Sequence, residues 1–221
     1  MIPILLIALT LRPPSHEVPQ PGAIQIPVEN AARLRHTRWK AGAAIGGLAG
    51  EWIPPKLVLS KPGTYWIAAA DPERLRTLAP KDFAALAQAE ALELIRDYRS
   101  QYKLEARPVR MIHSQYAKTM LRVGPRNSDI APVVLNLAIE FVLRGPNLVQ
   151  LNFRSQPIAG IPVLANGKLL GYTNAAGQLP LGNVPGALEL RASVVRGYPD
   201  RSTADWEVFT ASLTLPEAAA R

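Results

Sequence analysis

Cysteine is absent from this chain. That removes disulfides, iron–sulfur clusters, thiolate zinc sites and cysteine nucleophiles. Compartment stays open, because 221 residues bury enough core to do without disulfides. Histidine is scarce: His16, His36 and His113 are the three present, and no HExxH contains them. No GxSxG supports a serine hydrolase, and the serines beside His16 and His113 suggest no triad. Phosphate-cradling loops are missing too. The glycines of GYTNAAGQLPLGNVPGALELRAS (171–193) fit neither GxGxxG nor GxxxxGK(S/T), and no helix-forming run follows them. Their expected work is to turn strands, at 174–177 and again at 183–186.

Long apolar runs are also lacking. Residues 2–11 are apolar apart from Thr10, well short of the about 20 residues that cross a bilayer. The length suits the core of a signal peptide. No Lys or Arg precedes it, and RPPS lacks a small-x-small cleavage pattern. Export is the expected reading, with residues 1–15 as the signal segment and a periplasmic or secreted product.

What is present points to β-structure. Hydrophobic residues make up 48% and charged ones 19%, while 21 prolines and 15 glycines cut the chain into short elements. Lys and Arg outnumber Asp and Glu by 25 to 17, a formal charge of +8. That favours loose contact with anionic partners but specifies none, and no specific nucleic-acid binding is expected. RLRHTRWK (33–40) alternates like a strand with one wet face.

GAIQIPV (22–28), KLVLS (56–60) and PGTYWIAAA (62–70) read as strands, and AGAAIGGLAG (41–50) as turns and close backbone approaches. A single helix is expected over APKDFAALAQAEALELIRDYRSQY (79–102), strongest near 81–100. Its buried stripe would be Phe83, Ala87, Ala91, Leu94 and Tyr98, flanked by Leu92 and Ile95. QYAKTMLRVG alternates again, with Lys118 and Arg122 opposite Ala117, Thr119, Leu121 and Val123. GPRNSDIAP (124–132) is the best domain boundary. Beyond it, LNLAIEFVL, LVQLNF, IPVLA, ALELRASVV and WEVFTASLTL form a strand meander, turned at Asn166-Gly167 and Ala176-Gly177.

The fold class that follows is mainly β: two β-sandwich-like domains, the first with one helix, the second of immunoglobulin-like proportions. The expected division is 16–128 and 129–216, with a tail at 217–221. Glu140, Glu189 and Glu207 offer carboxylates, but nothing in the sequence pairs them for catalysis. Salt bridges and solvated strand faces are the commoner fate.

One metal-binding possibility stands out. Cleavage after Ser15 would expose His16-Glu17, whose free amine and imidazole together chelate nickel, cobalt or copper. His113 and Glu140 would add ligands if the fold brought them close.

PGTYWIAA (62–69), KDFAALAQAEALELI (81–95), SQYAKTMLRVG (114–124), LAIEFVL (137–143), PIAGIPVLANGK (157–168), GYTNAAGQLPL (171–181) and ADWEVFTASLTL (204–215) follow one another in a suggestive order. Together they resemble a bacterial exported family of NikM-like accessory proteins of nickel or cobalt uptake. The resemblance runs from His16 to Leu215. It implies two β-rich domains, the second immunoglobulin-like or carboxypeptidase-regulatory-like, and a histidine near the mature N-terminus, which His16 matches. Val18 stands where an aromatic residue often follows that histidine. His113-Ser114-Gln115 stands where many members carry an acidic residue.

Two functional expectations follow. The first is an exported, non-enzymatic accessory that holds a transition metal and docks on a membrane uptake component or envelope protein. The alternative is a structural or protein–protein interaction module of the envelope, without a metal.

Overall fold

The computed structural model describes residues 63–123, 132–182 and 188–215, together with strands at 17–18, 22–25, 36–41, 44–49 and 56–59. These five short strands are β1 (Glu17–Val18), β2 (Gly22–Gln25), β3 (His36–Ala41), β4 (Ala44–Ala49) and β5 (Lys56–Leu59). β2 and β5, both expected as strands, pair antiparallel with each other. β4 is a correction, since 41–50 was expected to be turns. Its backbone instead pairs residue for residue with β3, from His36–Ala49 to Ala41–Ala44.

β6 (Gly63–Leu78) is twice the length expected from PGTYWIAAA. Its register against β7 (Val109–Val123) slips between Asp71 and Arg74. Pro72 lies inside that slip, where a residue without an N–H costs the ladder nothing. Arg74 Nε donates to Asp71 Oδ1 across the bulge at 3.0 Å, and the strand resumes.

The connection from β6 to β7 carries the helical layer. The expected single helix is two: α1 (Pro80–Ala89) and α2 (Glu93–Gln101). The break falls at Ala91, which takes a left-handed φ of 51°. Glu90 N bonds Leu86 O, and Leu92 N bonds Ala87 O, both at 2.9 Å, closing off α1. The change of direction redistributes the expected stripe. Phe83, Ala87, Leu92 and Ile95 are buried, whereas Leu94 and Tyr98 are exposed.

The C-terminal strands follow the meander. They are β8 (Ile139–Gly145), β9 (Leu148–Phe153), β10 (Gln156–Pro157), β11 (Pro162–Ala165), β12 (Lys168–Tyr172), β13 (Gln178–Pro180), β14 (Leu188–Gly197) and β15 (Trp206–Leu215). Asn166 (φ 49°) and Gly167 (φ 78°) make the expected two-residue hairpin between β11 and β12. Asn174 to Gly177 turns as expected. Gly177 N bonds Asn174 O, and the Asn174 Oδ1 accepts from Ala176 N and Gln178 N. The turn expected at 183–186 lies outside the described residues.

Three layers result. The large sheet runs β12–β11–β14–β15–β7–β6–β3–β4, with β1 beside the end of β7. A small sheet of β10, β9, β13 and β8 covers one face. Phe209, Ala211, Leu213 and Leu215 point into that interface, the face foreseen for them, and meet Phe141, Leu143, Val149 and Leu151. The helices cover the other face, where Phe83, Leu86, Leu92 and Ile95 pack on Val109, Met111, Trp206 and Val208. β15 is therefore buried at every position, as a strand sandwiched between two layers must be.

The architecture is mainly β, with sheet-rich regions in both halves of the chain, sandwich-like layering and helices confined to the first half. The proposed boundary at 128/129 falls outside the described residues. On either side of it, β7 and β15 pair in parallel from Met111–Trp206 to Thr119–Thr214. One sheet thus joins the two regions.

Candidate functional site

Two buried polar clusters flank the large sheet, one on each face. On the small-sheet face, Lys118 is 2% exposed, although alternation set it on the face opposite Ala117, Thr119, Leu121 and Val123. Its Nζ donates to Val133 O at 2.6 Å, to Phe141 O at 3.0 Å and to Glu140 Oε2 at 3.3 Å. It also lies 5.0 Å from the centroid of the Trp66 ring. Glu140 accepts from Leu135 N at 3.1 and 3.0 Å and from Asn136 N at 3.2 Å. The carboxylate is saturated by one cation and two backbone amides, and the cluster fastens the segment before β8.

On the helix face, the break at Ala91 directs Glu90 inward. Thr210 Oγ1 donates to Glu90 Oε2 at 2.9 Å. His113 Nε2 lies 3.3 Å from the same oxygen and 3.0 Å from Thr210 Oγ1. Ser193 Oγ lies 2.9 Å from Thr210 Oγ1. With the Thr210 proton given to Glu90, the geometry assigns an N–H to His113 Nε2 and lets Ser193 donate to Thr210. Nδ1 of His113 has no partner among the described residues. Burial pushes the Glu90 carboxyl upward, but the charge and hydrogen bond of His113, the Thr210 hydroxyl and the Arg191 guanidinium outweigh it and hold the group below its ordinary value.

The three residues offered for metal binding are therefore not one site. His16 lies outside the described residues. His113 and Lys118 are five positions apart on β7, a strand without a break in its pairing to β15. They point to opposite faces of the sheet, and Glu140 goes with Lys118. A metal ion cannot take both His113 and Glu140 with a β-sheet between them. Among the described residues no group of three or more His, Asp or Glu side chains could hold a metal. The other two glutamates are paired as well, Glu189 with Arg191 at 2.6 Å and Glu207 with Arg196.

The feature that sequence reasoning missed is a surface cleft of about 410 Å³ between the α2–β7 connection and the turn before β15. Tyr98, Leu104, Pro108 and Trp206 give it an apolar wall. The Tyr98 ring meets Trp206 edge-on at 5.1 Å and Tyr102 at 4.6 Å. Tyr98 and Tyr102 remain 40% and 56% exposed.

Arginines set the rest of the cleft. Arg99 Nη2 donates to the carbonyls of Leu104, Glu105 and Arg107, which curls that connection around it. Arg110 donates to Ser202 O and Arg201 O, both at 2.7 Å, and pairs with Asp205 at 3.1 Å. The turn is tightened further by Asp200, which accepts from Ser202 N, Ser202 Oγ and Thr203 Oγ1. Those bonds hold its carboxyl at about 2. Both walls are thus fixed in advance. Arg107 and Arg201 are left as exposed cations on the lining.

No family model matches this chain, and no curated protein does. Among solved structures it is similar to the fibronectin(III)-like modules of Clostridium thermocellum CbhA, at 11% identity and a TM-score of 0.25, over 96% of each chain. It is similar to murine CEACAM1b at 15% identity and a TM-score of 0.22, over 94% of this chain and 98% of that one. The Bacteroides ovatus mixed-linkage glucan utilization locus protein SGBP-B, in complex with a mixed-linkage heptasaccharide, matches at 9% identity and a TM-score of 0.21, over 89% and 42%. Superpositions this loose carry no functional argument.

Proposed function

We propose that this chain is a non-enzymatic interaction module of the cell envelope that recognises a protein partner through the cleft beside α2. The observation that carries this reading is the cleft itself. Exposed tyrosines and arginines, the residue types that anchor interfaces, stand there on a scaffold already ordered by Arg99, Arg110 and Asp200. Rigid walls lose little freedom on association. The buried polar clusters serve the fold instead, fixing the helices and the small sheet to the large sheet.

A photo-crosslinking residue at Tyr102, compared with one at Asn147 in the turn between β8 and β9, tests this in intact cells. A discrete adduct from Tyr102 that Asn147 does not give is the expected result. Equal labelling from both positions, or none, overturns the reading.

The metal-handling alternative rests on His16 with the nickel, cobalt or copper chemistry of a free terminal amine. The described residues around His113 and Glu140 do not fit it. Calorimetric titration with each metal, on protein beginning at His16, discriminates: saturable binding lost in His16→Ala restores the alternative. Export is supported by the apolar run at 2–11. Among the described residues no helix is long and apolar enough to cross a membrane.

A further inference from the structure

We infer that the cleft beside α2 takes a short acidic peptide segment of its partner, seating a carboxylate on Arg107 and Arg201 with a neighbouring apolar side chain against Tyr98 and Leu104. The inference rests on the interaction reading above and names the partner's chemistry.

Charge is the first ground. Of the lining groups, Arg99, Arg107 and Arg201 are cationic and Asp205 is anionic. Asp205 is already paired with Arg110 and accepts from its backbone N–H at 3.2 Å. Arg99 spends its Nη2 on carbonyls. The Arg107 side chain makes no hydrogen bond or ion pair among the described residues. Arg201 gives Nη1 to Asp205 O at 2.5 Å, rests 5.7 Å from the Trp206 ring centroid and lays Nη2 close to Gly197, and the residue remains exposed on the lining. A guanidinium fork with an open edge matches a carboxylate geometrically as well as electrically.

Shape is the second ground. A cleft of about 410 Å³ is at the small end of ligand sites and suits a few side chains. Its aromatic wall is a slot and not a platform. Trp206 is 7% exposed, with Tyr98 on its edge and Arg201 over its face. A sugar needs free amide or carboxylate groups for its hydroxyls, and the one carboxylate on this lining, Asp205, is taken by Arg110. An aliphatic or aromatic side chain beside an acid uses both halves of the cleft.

The test is fluorescence anisotropy on the full chain at low salt. The probe is a labelled peptide alternating Asp with Leu and Phe; controls replace each Asp by Asn, or each Leu and Phe by Ser. Saturable binding of the first peptide alone is expected. Arg107→Ala should weaken it about tenfold, the loss of one charge-assisted contact, and Arg107→Glu should abolish it. The Arg107 side chain has no hydrogen-bond or ion-pair partner among the described residues, and its backbone bonds to Leu104 and Arg99 do not depend on side-chain identity, so the variants are expected to keep the wild-type melting profile. Arg201→Gln gives a second, independent reading.

Undiminished binding to Arg107→Glu overturns the assignment. So does equal binding of the acidic Ser-containing peptide, which would report general attraction to a basic protein. Displacement by inorganic phosphate as effective as by unlabelled peptide would overturn the peptide as occupant. A Tyr102-specific crosslink without peptide binding would leave the interaction module standing and remove only the acidic chemistry.

Discussion

Lys118 Nζ lies 3.3 Å from Glu140 Oε2, with the two side chains 2% and 1% exposed. Each charge has exchanged water for a fixed set of protein dipoles, and each depends on the other. Removing one partner leaves the second buried without compensation, at a cost of about 3 kcal/mol or more. Glu140→Gln is expected to lower unfolding free energy by about that amount in guanidinium titration. Glu189→Gln, which breaks a more accessible pair with Arg191, should cost no more than about 1 kcal/mol. Equal effects would mean that burial does not set the strength of these pairs.

Glu90 predicts the acid limb of stability. Its carboxyl is depressed in the folded protein by His113, Thr210 and Arg191 acting against burial. The stabilisation is therefore complete above the titration of an unfolded glutamate, near about pH 4.3. It is lost as pH falls through the lower folded value. Glu90→Gln should flatten this limb. Melting temperatures of both proteins across that range check it, and parallel curves would exclude Glu90 as the source.

Ala91 holds a φ of 51° that glycine adopts without strain. It is also buried, at 9% exposed, so the contacts of its methyl are set against the backbone strain. Ala91→Gly should stabilise the protein by at most about 0.5 kcal/mol, because the greater freedom of glycine in the unfolded chain and the lost methyl contacts offset most of the strain relief. A lower melting temperature would show that the Ala91 methyl matters more than its backbone.

Two glycines separate strain from crowding. Gly167 and Gly177 both have positive φ, 78° and 69°. A Cβ at Gly167 meets nothing within 4 Å, whereas one at Gly177 would stand 2.9 Å from Ile158 N and Leu151 O. Gly167→Ala should cost about 1 kcal/mol for its backbone alone. Gly177→Ala should cost roughly 2–4 kcal/mol, because backbone atoms must move. Denaturant midpoints of the two variants give the comparison directly.

Much of the fold was legible because the C-terminal strands are short, apolar and punctuated. LVQLNF and WEVFTASLTL coincide with β9 and β15, and Asn166-Gly167 turns as that dipeptide should. Local signals failed where tertiary context decided. Lys118 alternates like a solvated residue, yet its face is covered by a second sheet that periodicity along one strand cannot report. The break at Ala91 left no mark in a run of good helix formers. What it serves is the contact of Glu90 with His113 and Thr210, 23 and 120 positions away, which no local pattern reports. The cleft was illegible for the same reason, since Arg107 and Arg201 come to line one cleft only when β7 and β15 pair.

β15, the last described strand, is not at a margin of the large sheet. It lies between β14 and β7, so the sheet is completed by insertion into its middle. Until residues 206–215 arrive, β7 and β14 each offer an open ladder of N–H and C=O groups to any passing chain. A ribosome-bound nascent chain would carry that hazard on β7 from the completion of Val123 until β15 emerges. The same placement gives long-range pairing a large share in folding, which slows it, and makes it pointless to express either half alone.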